Sequence, residues 1–196
     1  LVDCKFIDGS CVCVRPGCDF GNLKDDSDNN GSLDEQTAKK VFKMLCLAVH
    51  YLHTSAGLVH RDVKLENVLL DSHMNAYLCD FGLTESVSEQ DATKLEHKGT
   101  PEYIPPEIIN KNSSIDLKKA DVWALGVCLY AMICGELPFH HEYTPKLYQN
   151  IVTRQITPLP KQFSPELHAL IGELLEKDQA RRPSTESILR TRWLST

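Results

Sequence analysis

No stretch of the 196 residues is long and apolar enough to cross a bilayer. The longest apolar run, Val122 to Cys134, falls well short of the ~20 residues that a spanning helix needs. A secretory signal core is absent at the start, because Asp3 and Lys5 interrupt it. Positive charge is also lacking: 21 Lys and Arg against 27 Asp and Glu leave a net −6, which argues against binding a nucleic-acid backbone. There is no internal repeat, long linker or low-complexity tract. What is present, 42% hydrophobic and 24% charged residues, is an ordinary globular composition with enough length for one well-buried domain.

The eight cysteines follow no clear metal-ligand pattern. Cys46, Cys79, Cys128 and Cys134 lie in apolar contexts where a thiol acts as a small hydrophobe, implying a reducing compartment, cytoplasmic or nuclear. Cys4, Cys11, Cys13 and Cys18 cluster, and a zinc-binding module is the alternative they raise. Structural zinc sites pair their ligands more closely, and no second close pair follows Cys11 and Cys13. The run Asp26 to Gly31 begins like a calcium loop, but its twelfth position is Thr37 where a bidentate Glu is needed. It is expected to be a polar turn.

Local patterns predict an α+β domain, mainly helical, with a few small strands at one end. Two strands within residues 1–15 meet at the Asp8-Gly9 turn. Residues 17–24 lead into a short helix, and Asp25 to Ser32 has turn chemistry. Ala38, Val41, Phe42, Leu45, Val49 and Leu52 recur at helical spacing. A Ser32–Glu35 capping box is expected to start that helix, and Gly57 to close it. Strands follow near Leu58-Val59, Val68 to Leu70 and Tyr77 to Cys79. Helices are expected near 119–135, 144–153, 164–176 and 184–192, with Pro165 and Ser184 marking the last two starts. Residues 83–98 lack periodicity and read as a loop.

Two motifs carry the chemistry. Residues 60–67 read His-Arg-Asp-Val-Lys-Leu-Glu-Asn, and Asp80-Phe81-Gly82 follows a short strand-turn-strand. They bring together a candidate base, a cation and two oxygen ligands for a metal, the set that phosphoryl transfer needs. In this order they resemble the catalytic and metal-binding loops of eukaryotic serine/threonine protein kinases. Further matches run to the end of the chain: Gly99-Thr100-Pro101-Glu102-Tyr103, Pro105-Pro106-Glu107, Asp121-Val122-Trp123-Ala124-Leu125-Gly126, Arg181-Arg182-Pro183 and Trp193. The stretches around Leu137 to Phe139 and Ser164 to Leu167 most resemble the calmodulin-dependent-kinase-like group.

The resemblance implies a kinase large lobe over residues 16–196, with a catalytic loop at 60–67 and an activation segment at 80–107. It implies Asp62 as the group that orients a substrate hydroxyl and Lys64 as the charge beside the transferring phosphoryl. Asn67 and Asp80 become Mg2+ ligands, and ATP the phosphoryl donor. His60 and Phe81 are expected to pack behind the site, while Gly82 lets the backbone turn so that Asp80 points inward. Thr100 is expected near Asp62 and Lys64, Glu107 is expected to pair with Arg182, and Asp121 to brace the catalytic-loop backbone. Arg61 is expected to bind an activation-segment phosphate, with Glu96 as a built-in substitute and Ser86, Ser88 and Thr93 as further phosphorylation candidates. Glu66 suggests a protein substrate with basic residues, although Ala131 stands where a second acid is often found.

The upper half of a kinase nucleotide site has no counterpart here. Upstream of His60 there is no G-x-G-x-x-G and no strand lysine of the V-A-I-K kind. Residues 1–15 resemble the last two small-lobe strands, with residues 14–18 as the hinge; Pro16 and Cys18 are the named hinge residues, and Arg15 takes the usual gatekeeper position. About seventy to ninety residues of an ordinary kinase domain would then be missing. The first residue, Leu1 rather than Met, makes an incomplete catalytic domain the leading expectation and a pseudokinase or scaffold the alternative. The chain by itself is expected to have little kinase activity, and a partner is expected to cover the lobe-facing surface.

Overall fold

The computed structural model describes residues 3–7, 10–14, 18, 21–87 and 99–195, the first two stretches as backbone. Strands β1 (Asp3–Ile7) and β2 (Ser10–Val14) form an antiparallel pair in which Asp3 faces Val14. The rest is mainly helical. Helix α1 (Leu23–Asn30) leads to the long α2 (Glu35–Tyr51). Three small strands, β3 (Leu58–Val59), β4 (Val68–Leu70) and β5 (Ala76–Leu78), follow. Strand β6 (Glu85–Ser86) pairs antiparallel with β3, and β4 with β5. Helices α3 (Pro106–Ile109), α4 (Leu117–Cys134), α5 (Thr144–Thr153), α6 (Pro165–Leu174), α7 (Thr185–Leu189) and α8 (Arg192–Ser195) complete the domain.

Helix α4 is the centre of the core. It is apolar on every face, as a helix surrounded by protein must be, and every residue from Ala120 to Ile133 is buried. Trp123 stacks on Phe139 with ring centroids 6.0 Å apart and planes 6° from parallel. Helix α2 is amphipathic and turns Ala38, Val41, Phe42, Leu45, Cys46 and Val49 inward. On the far side of α4, Gly126 lets α6 come close: a Cβ there would stand 2.8 Å from Leu174 Cβ.

Several local expectations need correction. The predicted polar turn at Asp25 to Ser32 is mostly helix, with Asn22 capping it by accepting from the Asp25 amide at 2.9 Å. Periodicity could not reveal α1, because only Leu23 and Asp26 are buried. In place of the Ser32–Glu35 box, Asp34 caps α2 by accepting from the Gln36 and Thr37 amides at 2.9 and 3.0 Å. Glu35 is thereby released to accept from Ser164 and from the Trp193 indole at 2.8 Å. Burial raises the Glu35 pKa, but these bonds outweigh it and hold the carboxyl below its ordinary value. The predicted helix over 184–192 is two short helices, α7 and α8. After Tyr51 the chain makes one wide helical turn, Leu52–Ala56, and stops at Gly57 in the left-handed conformation (φ 67), as glycine readily allows.

Candidate active site

Strand β3 delivers the chain into the loop 60–67, and a buried carboxylate fixes that loop. Asp121, on α4, accepts from the backbone amides of His60 at 2.9 Å and Arg61 at 2.8 Å. Its Oδ2 also meets His53 Nε2 at 2.8 Å. The loop therefore hangs from the most buried helix in the domain. Arg61 sits at φ 68, a left-handed conformation that is uncommon outside glycine and is held here by its surroundings.

His60 is fully buried, and its hydrogen bonds define one tautomer. The Asp62 amide donates to Nδ1 at 3.3 Å, so Nε2 carries the proton and donates to the Cys79 carbonyl at 3.1 Å. Burial lowers the pKa of this imidazole despite the nearby carboxylates.

Asp62 stands at the meeting point of the polar side chains. Lys64 Nζ lies 2.8 Å from its Oδ2, and the Asn67 amide nitrogen donates to the same oxygen at 3.0 Å and to the Asp62 carbonyl at 2.8 Å. Lys64 also donates to Thr100 Oγ1 at 3.0 Å. Gly99 permits this approach by adopting φ 118, a conformation that residues with a side chain rarely take. Tyr103 accepts from the Leu65 amide at 3.4 Å, and burial pushes its phenol pKa up. Arg61, Asp62, Thr100, Tyr103 and Ala124 line a small recess here.

The hairpin of β4 and β5 carries the chain back, with the Cys79 amide donating to the Asn67 carbonyl at 2.9 Å. The left-handed residue of the next turn is Asp80 (φ 61), so the sharp turn expected of Gly82 belongs to Asp80. A Cβ at Gly82 would stand 3.1 Å from Asp80 Oδ1, the oxygen that accepts from the Gly82 amide at 3.2 Å, so a side chain there would crowd that carboxylate. Asp80 is exposed. Phe81 is also 46% exposed, touching His60 edge-on at 5.1 Å, rather than packed fully behind the site.

The donor set suits a hard cation that keeps other ligands. With its nitrogen committed to Asp62, Asn67 presents Oδ1 as its acceptor, and Asp80 adds an exposed carboxylate. Two protein oxygens completed by phosphate and water fit magnesium. Among the described residues, no group of three His, Cys, Asp or Glu side chains could hold a metal by itself. Asp26 accepts from Asn30 at 2.8 Å within α1, so that stretch does not form a calcium loop. The side chains of Cys4, Cys11 and Cys13 lie outside the described residues.

The remaining expected residues are placed as follows. Glu107 and Arg182 form a bidentate pair, both bonds 2.6 Å. Glu66 is exposed in the short turn Leu65–Asn67. The Cys18 carbonyl accepts from the Gly21 amide at 3.2 Å. Pro16, Glu96, Ser88 and Thr93 lie outside the described residues. Two site residues had no sequence signal: His53, beneath Asp121, and Glu85, whose carboxylate pairs with Arg61.

A family model for the protein kinase domain matches residues 8–194. Hormonally up-regulated neu tumor-associated kinase homolog A of Xenopus laevis is 38% identical over 202 residues, which takes in 100% of this chain and 28% of that protein. CBL-interacting protein kinase 3 of Oryza sativa subsp. japonica is 40% identical over 88% of this chain and 39% of its own length. CBL-interacting serine/threonine-protein kinase 5 of Arabidopsis thaliana is 41% identical over 85% of this chain and 37% of its own length. The chain thus spans 28–39% of the length of these curated relatives.

Proposed function

The chain belongs to the protein kinase domain family, and on that premise we propose that its site serves transfer of the γ-phosphoryl of ATP to a serine or threonine hydroxyl of a protein. The observation that carries this reading is the arrangement around Asp62, with Lys64 and Asn67 on one carboxylate oxygen and Thr100 on Lys64.

Asp62 accepts a hydrogen bond from the substrate hydroxyl and directs its lone pair at the phosphorus. Basicity matters less than aim, because the transition state is loose and the alcohol loses its proton late. Asn67 prevents the Asp62 carboxylate from swinging, and Lys64 places positive charge beside the transferring oxygens while Thr100 holds the amine in line. Asn67 Oδ1 and Asp80 would hold magnesium, which when bound screens the negative charge of the polyphosphate. His60, neutral and buried, keeps the loop in shape and takes no proton.

Substrate and compartment follow as parts of the same reading. Exposed Glu66, two residues after Lys64, favours basic residues in the peptide, and a peptide array without Arg or Lys enrichment would refute that. Cys46 and Cys128 are buried thiols whose pKa values burial pushes up, which suits a cytoplasmic or nuclear setting.

The test is magnesium-dependent nucleotide binding by the 196-residue chain. Asp80→Asn and Asn67→Ala should each weaken it about tenfold or more, whereas Asp62→Asn should leave it nearly intact and abolish any transfer to a protein. The sequence offers no glycine-rich clamp over the phosphates, so binding rather than turnover is the primary readout. Binding indifferent to both magnesium and Asp80→Asn would overturn the proposal.

A further inference from the structure

Backbone amides at the edge of a small sheet need acceptors, and one edge of the β4–β5 hairpin ends on sulfur. The Asp71 amide donates to the Asn75 carbonyl at 3.2 Å and the Cys79 amide to the Asn67 carbonyl at 2.9 Å, which sets the hydrogen-bonded positions of the ladder. Leu70 and Ala76, one step along from Asp71 and Asn75, therefore turn their amides outward. The Leu70 amide donates to the Gly21 carbonyl at 3.0 Å. The Ala76 amide, on the other edge, donates to Met44 Sδ of helix α2 at 3.2 Å. A thioether is a weak acceptor, and Met44 is only partly buried.

Helix α2 holds the hairpin at two points. Lys40, one turn before Met44 and on the same face, donates its amine to the His73 carbonyl in the hairpin turn. Asp71 stiffens that turn by accepting from the His73 and Asn75 amides, both at 2.9 Å. At its other end the hairpin carries the proposed magnesium ligands: Asn67 precedes β4, and Asp80 follows Cys79. Met44 thus sets where β5 lies, and β5 sets where Asp80 leaves the sheet.

We propose that the Met44 thioether is a site of reversible oxidation by hydroperoxides, and that its sulfoxide displaces β5 and disturbs the Asn67–Asp80 pair. A sulfur lone pair attacks the peroxide oxygen; an S–O bond forms and the O–O bond breaks. Sulfur is oxidised by two electrons and the peroxide reduced. The proton of the transferred oxygen passes to the departing one, which leaves as water or an alcohol. The product still offers Ala76 an acceptor, but a bond length further from the helix, and a polar group stands where a flexible apolar one packed. Strand β5 gives way, because α2 is anchored by the buried residues of its inner face. The effect on magnesium rests on the proposed phosphoryl-transfer site, whereas the oxidation and its effect on β5 do not.

The experiment treats the 196-residue chain with hydrogen peroxide and then with a thiol reductant, which reverses cysteine disulfides and sulfenic acids but leaves methionine sulfoxide. Peptide mass spectrometry should find an added oxygen at Met44 about tenfold or more faster than at Met132, which is 1% exposed. The Ala76 amide should exchange faster by NMR, and magnesium-dependent nucleotide binding should weaken about three- to tenfold, less than for loss of a group bonded directly to a metal ligand. Methionine sulfoxide reductases should restore both. Met44→Leu removes the acceptor and the oxidisable sulfur, so its Ala76 amide should exchange fast from the outset and peroxide should change nothing further. Met44→Gln, which places a polar acceptor there, should resemble the oxidised protein without treatment. Met74→Leu, in the hairpin turn, should keep the full response. If Met44→Leu does not fold, reductase rescue in Met74→Leu, where Met44 is the thioether left outside the core, takes its place. Met44 that stays unoxidised, Met44 sulfoxide with unchanged Ala76 exchange, or a peroxide response that survives in Met44→Leu overturns the proposal. Absence of nucleotide binding by the untreated chain would instead defeat the proposed function and leave Ala76 exchange to decide the role of Met44.

Discussion

Replacing Glu107 with alanine should be among the most damaging single changes outside the active site. Its carboxylate and the Arg182 guanidinium are 1% and 0% exposed, and they meet through two bonds of 2.6 Å. All five N–H donors of Arg182 are used: two on Glu107 and the others on the carbonyls of Glu176 at 2.7 Å, Lys119 at 3.0 Å and Lys177 at 3.3 Å. Removing one member of such a pair strands the other charge in a poorly solvated place, which costs about 3–5 kcal/mol. The three carbonyls remain bonded after Glu107→Ala, so the lower end, about 3 kcal/mol, is expected. For a domain of this size that corresponds to a fall in Tm of about 6–12 °C. Urea titration should show a lower midpoint with unchanged slope. The reasoning has a second consequence. Glu107→Leu combined with Arg182→Met removes both charges, and methionine can fill the space over Trp123 where the Arg182 guanidinium lies 5.0 Å from the ring centroid. The double variant should therefore be more stable than either single one. A Glu107→Ala loss below about 1 kcal/mol, or a double variant no better than the singles, would refute the desolvation argument.

Gly126→Ala should destabilise by about 1–3 kcal/mol, because the new methyl would press on Leu174 Cβ at 2.8 Å and Leu175 Cδ2 at 2.9 Å, both in the packed seam of α4 and α6; a chemical-denaturation midpoint equal to wild type would contradict the packing. Lys177 should give a pH signature: burial first, then Arg182, lowers its pKa from the ordinary 10.5 to about 8, against the pull of Glu176. The unfolded chain then binds this proton more tightly, so the contribution to stability is full above about pH 10.5 and is lost as pH falls through about 8. Between those values the stability of wild type should rise with pH relative to Lys177→Met, and parallel curves would show that the lysine is not perturbed.

What the sequence could reveal depended on whether a signal was local. Helix α5 lies over 144–153 as expected, because Leu147 and Ile151 mark one face and Pro145 opens it. The buried α4 was legible from its unbroken apolar run. Helix α1 was legible only at its start, since the polar residues after Lys24 also suit a turn and its one buried leucine makes no pattern. Ser32 and Glu35 satisfied the spacing of a capping box, but Asp34 was a competing cap one residue before Glu35, and tertiary bonds to Ser164 and Trp193 took Glu35 away. At the site, the Asp62, Lys64, Asn67 and Asp80 motifs announced themselves because their spacing is short. The Arg61–Glu85 and His53–Asp121 pairs did not, because they join positions 24 and 68 residues apart through strand register and helix packing.

The tether between Asp121 and the loop amides also governs how the site can come apart. The His60 and Arg61 N–H groups end on a carboxylate that is 1% exposed, near the start of the core helix. They can reach solvent only when the packing around α4 opens, so their hydrogen exchange should track the stability of the whole domain rather than the breathing of a surface loop. Most binding loops belong to the weakly protected part of a structure; this one melts with the core. Any change that weakens α4 packing therefore also opens the site more often, by about tenfold for every ~1.4 kcal/mol lost, even from a position that touches no substrate.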